Sequence, residues 1–91
     1  LVVLKKGSHG ARVSDGKDNL NIPGHKVKAI DATGAGDTFD GVFLSEWIRS
    51  DDPFSASEFA NAAAALSTTN YGAVDSIPNR DEVKEFLGFS I

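Results

Sequence analysis

Residues 31 to 41 read DATGAGDTFDG, and this stretch marks where the chain changes character. Before it the apolar residues come in short β-like runs. After it Phe39, Phe43 and Trp47 recur every four residues, the spacing of one face of an α-helix. Three small residues, Gly34, Ala35 and Gly36, stand between the carboxylates Asp31 and Asp37 and lead straight into the helical run. The first turn of a helix leaves backbone N–H groups unpaired and carries the positive end of the helix dipole, so it attracts an anion. Gly and Ala keep side chains out of the anion's way, and Gly can adopt positive φ. Asp37 would repel that anion unless it has a partner or a task, and accepting a proton from an attacking hydroxyl is such a task. The plainer alternative is a helix start in which Asp37 favours the dipole and the glycines only make the turn.

Upstream, Leu1 to Leu4 form an unbroken apolar run, which predicts a strand buried on both faces, as in a parallel sheet. Gly7 to Gly10 make a turn, with His9 a surface residue. Ala11 to Ser14 form a second β segment closed by Asp15-Gly16, a hairpin signal. Asn19 to Ile22 and Lys26 to Ile30 are further β candidates, separated by Pro23-Gly24. Val42 and Leu44 widen the apolar face of the helical run, which should end near Ser50, ahead of Asp51, Asp52 and Pro53.

Ser55 with Glu58 reads as a capping box that opens a second helix. Its buried face would hold Phe59, Ala62, Ala63 and Leu66, and the alanines at 62 to 65 allow very close packing. Thr68 to Ile77 reads as a loop. Pro78 and Asn79 open a last helix with Val83, Phe86 and Leu87 as its stripe. Asp51-Asp52 and Asp81-Glu82 read as helix-end and first-turn charges without chemistry. The order is therefore strands first, then three helices. A strand buried on both faces needs parallel neighbours, and those come with crossover helices that this chain scarcely supplies. With a start of LVVLKK and no Met, the chain is expected to be a segment of a larger domain.

Composition narrows the function classes. Net charge is −4 with a pI near 4.9. The nine Lys and Arg are scattered apart from Lys5/Lys6 and Lys26/Lys28, which argues against a nucleic-acid groove. Without cysteine there is neither a disulfide framework nor a thiolate zinc site. No run approaches the roughly 20 apolar residues of a membrane span and no export signal is visible, so no membrane partner is expected and a cytoplasmic location is the default.

At DATGAGDTFDG the chain resembles the ribokinase-like (PfkB) family of carbohydrate kinases, whose C-terminal signature is D-T-x-G-A-G-D-x-F-x-G. Asp31, Thr33, Gly34, Ala35, Gly36, Asp37, Phe39 and Gly41 stand where that pattern has them. Ala32 replaces the usual Thr, and Val42 takes a place more often filled by Gly or Ala. The run VVLKKGSHGA resembles the family's strand and turn, with Gly7 and Gly10 three apart. Many members carry Thr where Lys5 stands, and Lys there is similar to the 2-keto-3-deoxygluconate kinase branch. The resemblance implies that Lys5, Gly7, Ser8 and Gly10 lie beside the nucleotide phosphates, with Lys5 screening their charge. The alternative is a solvent-facing Lys pair at a strand end.

ANAAAAL at 60 to 66 resembles the family helix that lines the adenine pocket, which implies that Asn61 faces the nucleotide. A tightly packed core helix with Asn61 exposed is the other reading. GAVDSIP at 72 to 78 is in register with the family's G-A-x-x-S-[IV]-P. The resemblance implies a monovalent cation, potassium, held by oxygens of Asp31, Thr33, Ser67, Asn70, Gly72 and Ser76; otherwise the segment is a plain loop.

The fold implied is a Rossmann-like three-layer α/β/α fold, with residues 1–91 the C-terminal segment of a single kinase domain whose N-terminal part, lid and sugar contacts lie upstream. The activity implied is ATP-dependent phosphorylation of a hydroxyl of a sugar or sugar acid, whether 2-keto-3-deoxygluconate-like, ribose-like or fructose-like. Asp37 would be the general base, the N–H groups of Gly34, Ala35 and Gly36 the anion hole, and Mg²⁺ the bridge between phosphates. The alternatives are a kinase of the same fold for a nucleoside or vitamin-like alcohol, and a non-catalytic relative serving as a binding module. The full-length protein could form a homo-oligomer. These 91 residues alone are expected to be inactive.

Overall fold

The computed structural model describes residues 1–27, 34–69 and 78–88. Three strands, β1 (Val2–Lys5), β2 (Gly10–Ser14) and β3 (Asn19–Pro23), form an antiparallel sheet in the order β1-β2-β3. Val3 pairs with Val13 across the first ladder, and Val13 with Leu20 across the second. Asp15 closes the hairpin as the sequence predicts. Its Oδ1 accepts the N–H groups of Lys17 and Asp18 at 2.8 and 2.7 Å, and Gly16 supplies a φ of 93°. The Asp18 and Lys17 amides stabilise the carboxylate and hold the Asp15 pKa below its usual range.

β1 departs from the expectation of a strand buried on both faces in a parallel sheet. It pairs antiparallel to β2, and Val2 and Leu4 are 65% and 56% exposed. Only Val3 packs towards the core, against Ala11 and its neighbours. The apolar run reports a surface that these residues leave uncovered, not a buried one. Lys26 and Val27, expected to begin a further strand, belong to no strand, and residues 28–30 lie outside the described residues.

Helix α1 (Ala35–Ser50) starts at Gly34, which takes the left-handed conformation at φ 80°. It ends at Asp51, whose N–H donates to the Trp47 carbonyl at 2.8 Å. Its buried face carries Phe39 and Phe43, ring-stacked with centroids 6.2 Å apart, and Trp47 follows 5.4 Å from Phe43. Leu44, expected to widen that face, is 55% exposed. Val42 instead packs on both apolar clusters of the molecule.

Helix α2 (Pro53–Ser67) begins three residues earlier than the Ser55–Glu58 capping box predicts. Asp52 is the cap, its Oδ1 accepting from Phe54 and Ser55 at 3.0 and 3.3 Å. Pro53 explains the difference: its preset φ and missing N–H suit the first helical position, which leaves Ser55 inside the first turn. Helix α3 (Arg80–Phe86) does open with a capping box. Asn79 accepts from the Glu82 N–H at 2.9 Å, and Glu82 accepts from the Asn79 N–H at 3.0 Å.

α2 is the central element. Ala56 and Ala60 meet Ala11, Phe39 and Phe43 on one side. On the other, Phe59, Ala62 and Ala63 pack on Val83, with Phe86 and Leu87 beside them. Ala60, Ala62 and Ala63 are fully buried, so the alanines do permit close approach, and a larger side chain at any of the three would overpack the core. No helix among the described residues is long and apolar enough to cross a membrane.

Candidate functional site

A cleft of about 250 Å³ opens where the end of β1, the turn after it, the first turn of α1 and the inner side of α2 converge. Lys5, Gly7, Ser8 and Gly10 border it from the sheet side, Ala35 and Gly36 from the helix start, and Asn61 from α2. Six of these residues lie up to 31 positions from one another in the chain, and local folding explains how they meet. Lys6, just after β1, donates its N–H to the Gly10 carbonyl at 2.8 Å, and residues Gly7–His9 make one 3-10 turn between them.

Gly10 is the pivot of that turn. It is buried at φ 97°, and a Cβ there would run into the Ile22 carbonyl oxygen of β3. A Cβ at Gly24 would likewise run into the Ser8 carbonyl. The two glycines let the turn lie flat against the end of β3, which places Ser8 and Gly10 on the cleft.

Gly34 gives the chain the left-handed residue it needs to enter α1, leaving Ala35 and Gly36 as the first two helical residues. The first ladder bond of the helix runs from the Thr38 N–H to the Gly34 carbonyl at 2.8 Å, so the N–H groups before it have no partner within the helix. Nothing larger than hydrogen stands at Gly36, and the nearest atom to a Cβ there would be Lys5 Nζ at 3.7 Å. Asp37 is exposed in this first turn. Gly34 and Asp37 flank the cleft and are not part of its lining.

Asn61 settles between the two expectations for it. It is 7% exposed, hence not on the surface of a core helix, and it lines the cleft. Its Nδ2 donates to the Pro23 carbonyl at 3.1 Å, which ties α2 to the end of β3. Further along, Val27, Ala64 and Ala65 make an apolar wall completed by His25. The His25 ring lies 4.9 Å from that of Phe86, so α3 buttresses this wall from behind.

Of the residues expected to hold a cation, Asp31, Thr33, Asn70, Gly72 and Ser76 lie outside the described residues. Ser67 is buried near the end of α2, its hydroxyl donating to the Ala64 carbonyl at 2.7 Å. Among the described residues no three His, Asp or Glu side chains converge so as to hold a metal.

Three features of the site and its support carried no local signal in the sequence. Lys5 Nζ forms an ion pair with Asp40 at 2.9 Å. His25 follows an ordinary Pro-Gly turn, and only the third dimension brings it to the cleft. The buried Glu46 receives Arg80 and Arg49; burial pushes its pKa up, and hydrogen bonds from Arg49 and Arg80 more than reverse this, so the carboxyl is held below the usual pKa range.

Comparison with known proteins agrees with this geometry. The chain is 40% identical to the ribokinase of Bacillus subtilis over 92% of its own length and 29% of that protein's. It is 43% identical to the ribokinase of Haemophilus influenzae, over 94% and 28%. The crystal structure of Thermotoga maritima ribokinase superposes with a TM-score of 0.87 at 41% identity, covering 94% of this chain and 29% of that one. The elements described here thus form part of the α/β ribokinase-like fold, and the chain spans under a third of the length of these relatives. Since the model of the pfkB family carbohydrate kinases matches residues 1–80, a span that contains every wall of the cleft, the chain belongs to that family.

Proposed function

We propose that the protein carrying this segment phosphorylates a hydroxyl of a sugar or sugar acid with MgATP, and that the cleft takes the nucleotide. The observation that carries the reading is the convergence on one cleft of a lysine, two glycine turns and the first turn of a helix, all suited to phosphate, with an apolar wall suited to a base. The apolar wall of Val27, Ala64 and Ala65 admits a flat ring, and Asn61 stands at its edge.

Asp37 stands in the turn that presents those N–H groups and is exposed where an acceptor substrate could reach it. In this reading its carboxylate takes the proton of the acceptor hydroxyl as that oxygen attacks the γ-phosphorus and the bond from the γ-phosphorus to the β-phosphate oxygen breaks, releasing ADP. The N–H groups of Gly34, Ala35 and Gly36 hold the negative charge on the phosphoryl oxygens, and Lys5 screens the remaining phosphates. Bound with the nucleotide, magnesium would supply charge neutralisation along the phosphates; an E. coli protein described as a putative ribokinase II, 27% identical here, has been crystallised with ATP and Mg²⁺. Potassium would be held by Asp31, Thr33, Ser67, Asn70, Gly72 and Ser76 and would steady the peptide dipoles of the anion hole. The register of GAVDSIP supports that assignment.

Relatives named as ribokinase, fructokinase and deoxyribokinase support a sugar acceptor. Lys5 in place of Thr leans towards a sugar acid of the 2-keto-3-deoxygluconate kind. A nucleoside acceptor is the second reading, favoured by the nucleoside kinase of Methanocaldococcus jannaschii, which superposes with a TM-score of 0.88 at 30% identity. The test is an ATP-turnover assay of the full-length protein against ribose, fructose, 2-keto-3-deoxygluconate and adenosine. ADP release stimulated by a sugar or sugar acid is expected. Stimulation by the nucleoside alone selects the second reading, and none with any acceptor selects a non-catalytic binding module.

A further inference from the structure

We propose that Asp40 is a positioning residue for Lys5: its carboxylate holds the ammonium beside the first turn of α1, ready for the phosphates of the incoming nucleotide. The inference rests on the reading of the cleft as a nucleoside triphosphate site.

Lys5 Nζ, on the cleft, and Asp40 Oδ1, on α1 outside its lining, meet at 2.9 Å, 35 residues apart in the chain. Their side chains are 41% and 59% exposed, and an ion pair in that setting contributes little to folding. Stability is therefore a weak account of it. Its location is more telling. Nζ lies 3.7 Å from where a Gly36 Cβ would stand and 5.9 Å from the centroid of the Phe39 ring. An ammonium held there faces the positive end of the α1 dipole, which repels it. Asp40, one turn further along the same helix, offsets that repulsion and keeps the cation over the turn.

Two consequences follow for binding. A lysine stem free in water loses side-chain entropy when an anion immobilises it, and the ion pair with Asp40 removes part of that freedom beforehand. One carboxylate oxygen occupies one of the three ammonium donors and leaves two for phosphate oxygens. Asp37, the other acid of this turn, makes no ion pair with Lys5.

The test measures ATP and adenosine affinity by calorimetry at low salt on the full-length protein. Asp40→Ala and Asp40→Asn are expected to weaken ATP about fivefold, equivalent to about 1 kcal/mol, with adenosine affinity unmoved. Asp40→Glu should restore most of the loss. Lys5→Met should weaken ATP as well, and adding Asp40→Ala to it should cost nothing more. ATP affinity unchanged or tighter in Asp40→Ala, equal loss for adenosine, or additive losses in the double variant would each overturn the proposal. A wild type that binds ATP but phosphorylates no acceptor refutes the function proposed above and leaves the role of Asp40 to be decided by these affinities. A wild type that binds no ATP overturns both.

Discussion

Arg80 donates from Nε and Nη2 to the two carboxylate oxygens of Glu46, each at 3.2 Å, joining the start of α3 to the middle of α1. The guanidinium also lies 5.2 Å from the centre of the Phe59 ring on α2, so one side chain locks all three helices. Glu46 is 6% exposed. A buried carboxylate is tolerated only with its partners in place, and removing one partner leaves the other uncompensated.

Replacing Glu46 with Gln keeps the volume and removes the charge. It should cost roughly 2 kcal/mol of stability at neutral pH, read as a lower urea midpoint. The pH dependence has a definite sign. The Glu46 carboxyl is held below its ordinary value of 4.5, so its contribution is full above that value and fades as pH falls through the lower folded-state value. The gap between wild type and Glu46→Gln should therefore narrow in acid below about pH 4. A gap that is constant from neutral pH to pH 3 would contradict the pairing.

Gly10→Ala should be more damaging than a surface change of the same size. The new methyl would be forced against the Ile22 carbonyl oxygen at a φ of 97°, and no side chain nearby can give way. A loss of about 3 kcal/mol is expected, together with weaker ATP binding because the turn carries Ser8 and follows directly on the strand that ends in Lys5. Gly41→Ala, where a Cβ meets nothing within 4 Å, should be nearly neutral and serves as the control. Equal melting temperatures for the two variants would sink this account of the turn.

The assignment of the segment around GAVDSIP predicts that turnover depends on potassium. Exchanging K⁺ for tetramethylammonium, too large for a cage of carbonyl oxygens, should lower kcat about tenfold or more, with rubidium restoring part of it. An unchanged rate removes the cation site.

Much of the fold was readable because it is written locally. The four-residue spacing of Phe39, Phe43 and Trp47 located α1, Asp15-Gly16 located the hairpin, and Pro78 with Asn79 located the start of α3. The start of α2 was misplaced by two competing local signals, since Ser55 and Asp52 are both capable caps and only Pro53 decides between them. Burial of β1 was misjudged because an apolar strand reads the same whether its neighbours are present or lie elsewhere. The pairs Lys5–Asp40 and Glu46–Arg80 span 35 and 34 residues. No periodicity carries such contacts, because they arise only when α1 has packed against both the sheet and α3. Within the site, the small residues at 34 to 36 marked the helix start that borders the cleft, whereas the cleft wall of His25, Val27 and Ala65 needed the fold.

The central claim is that Asp37 is a base in phosphoryl transfer and not merely a favourable charge at a helix start. Asp37→Asn in the full-length protein tests it most directly, because the amide keeps the shape of the side chain and loses only the ability to take a proton. Sugar-dependent ADP release should fall by about 10² or more, while ATP affinity measured on the same sample stays close to that of the wild type. Turnover within about tenfold of wild type would contradict the assignment.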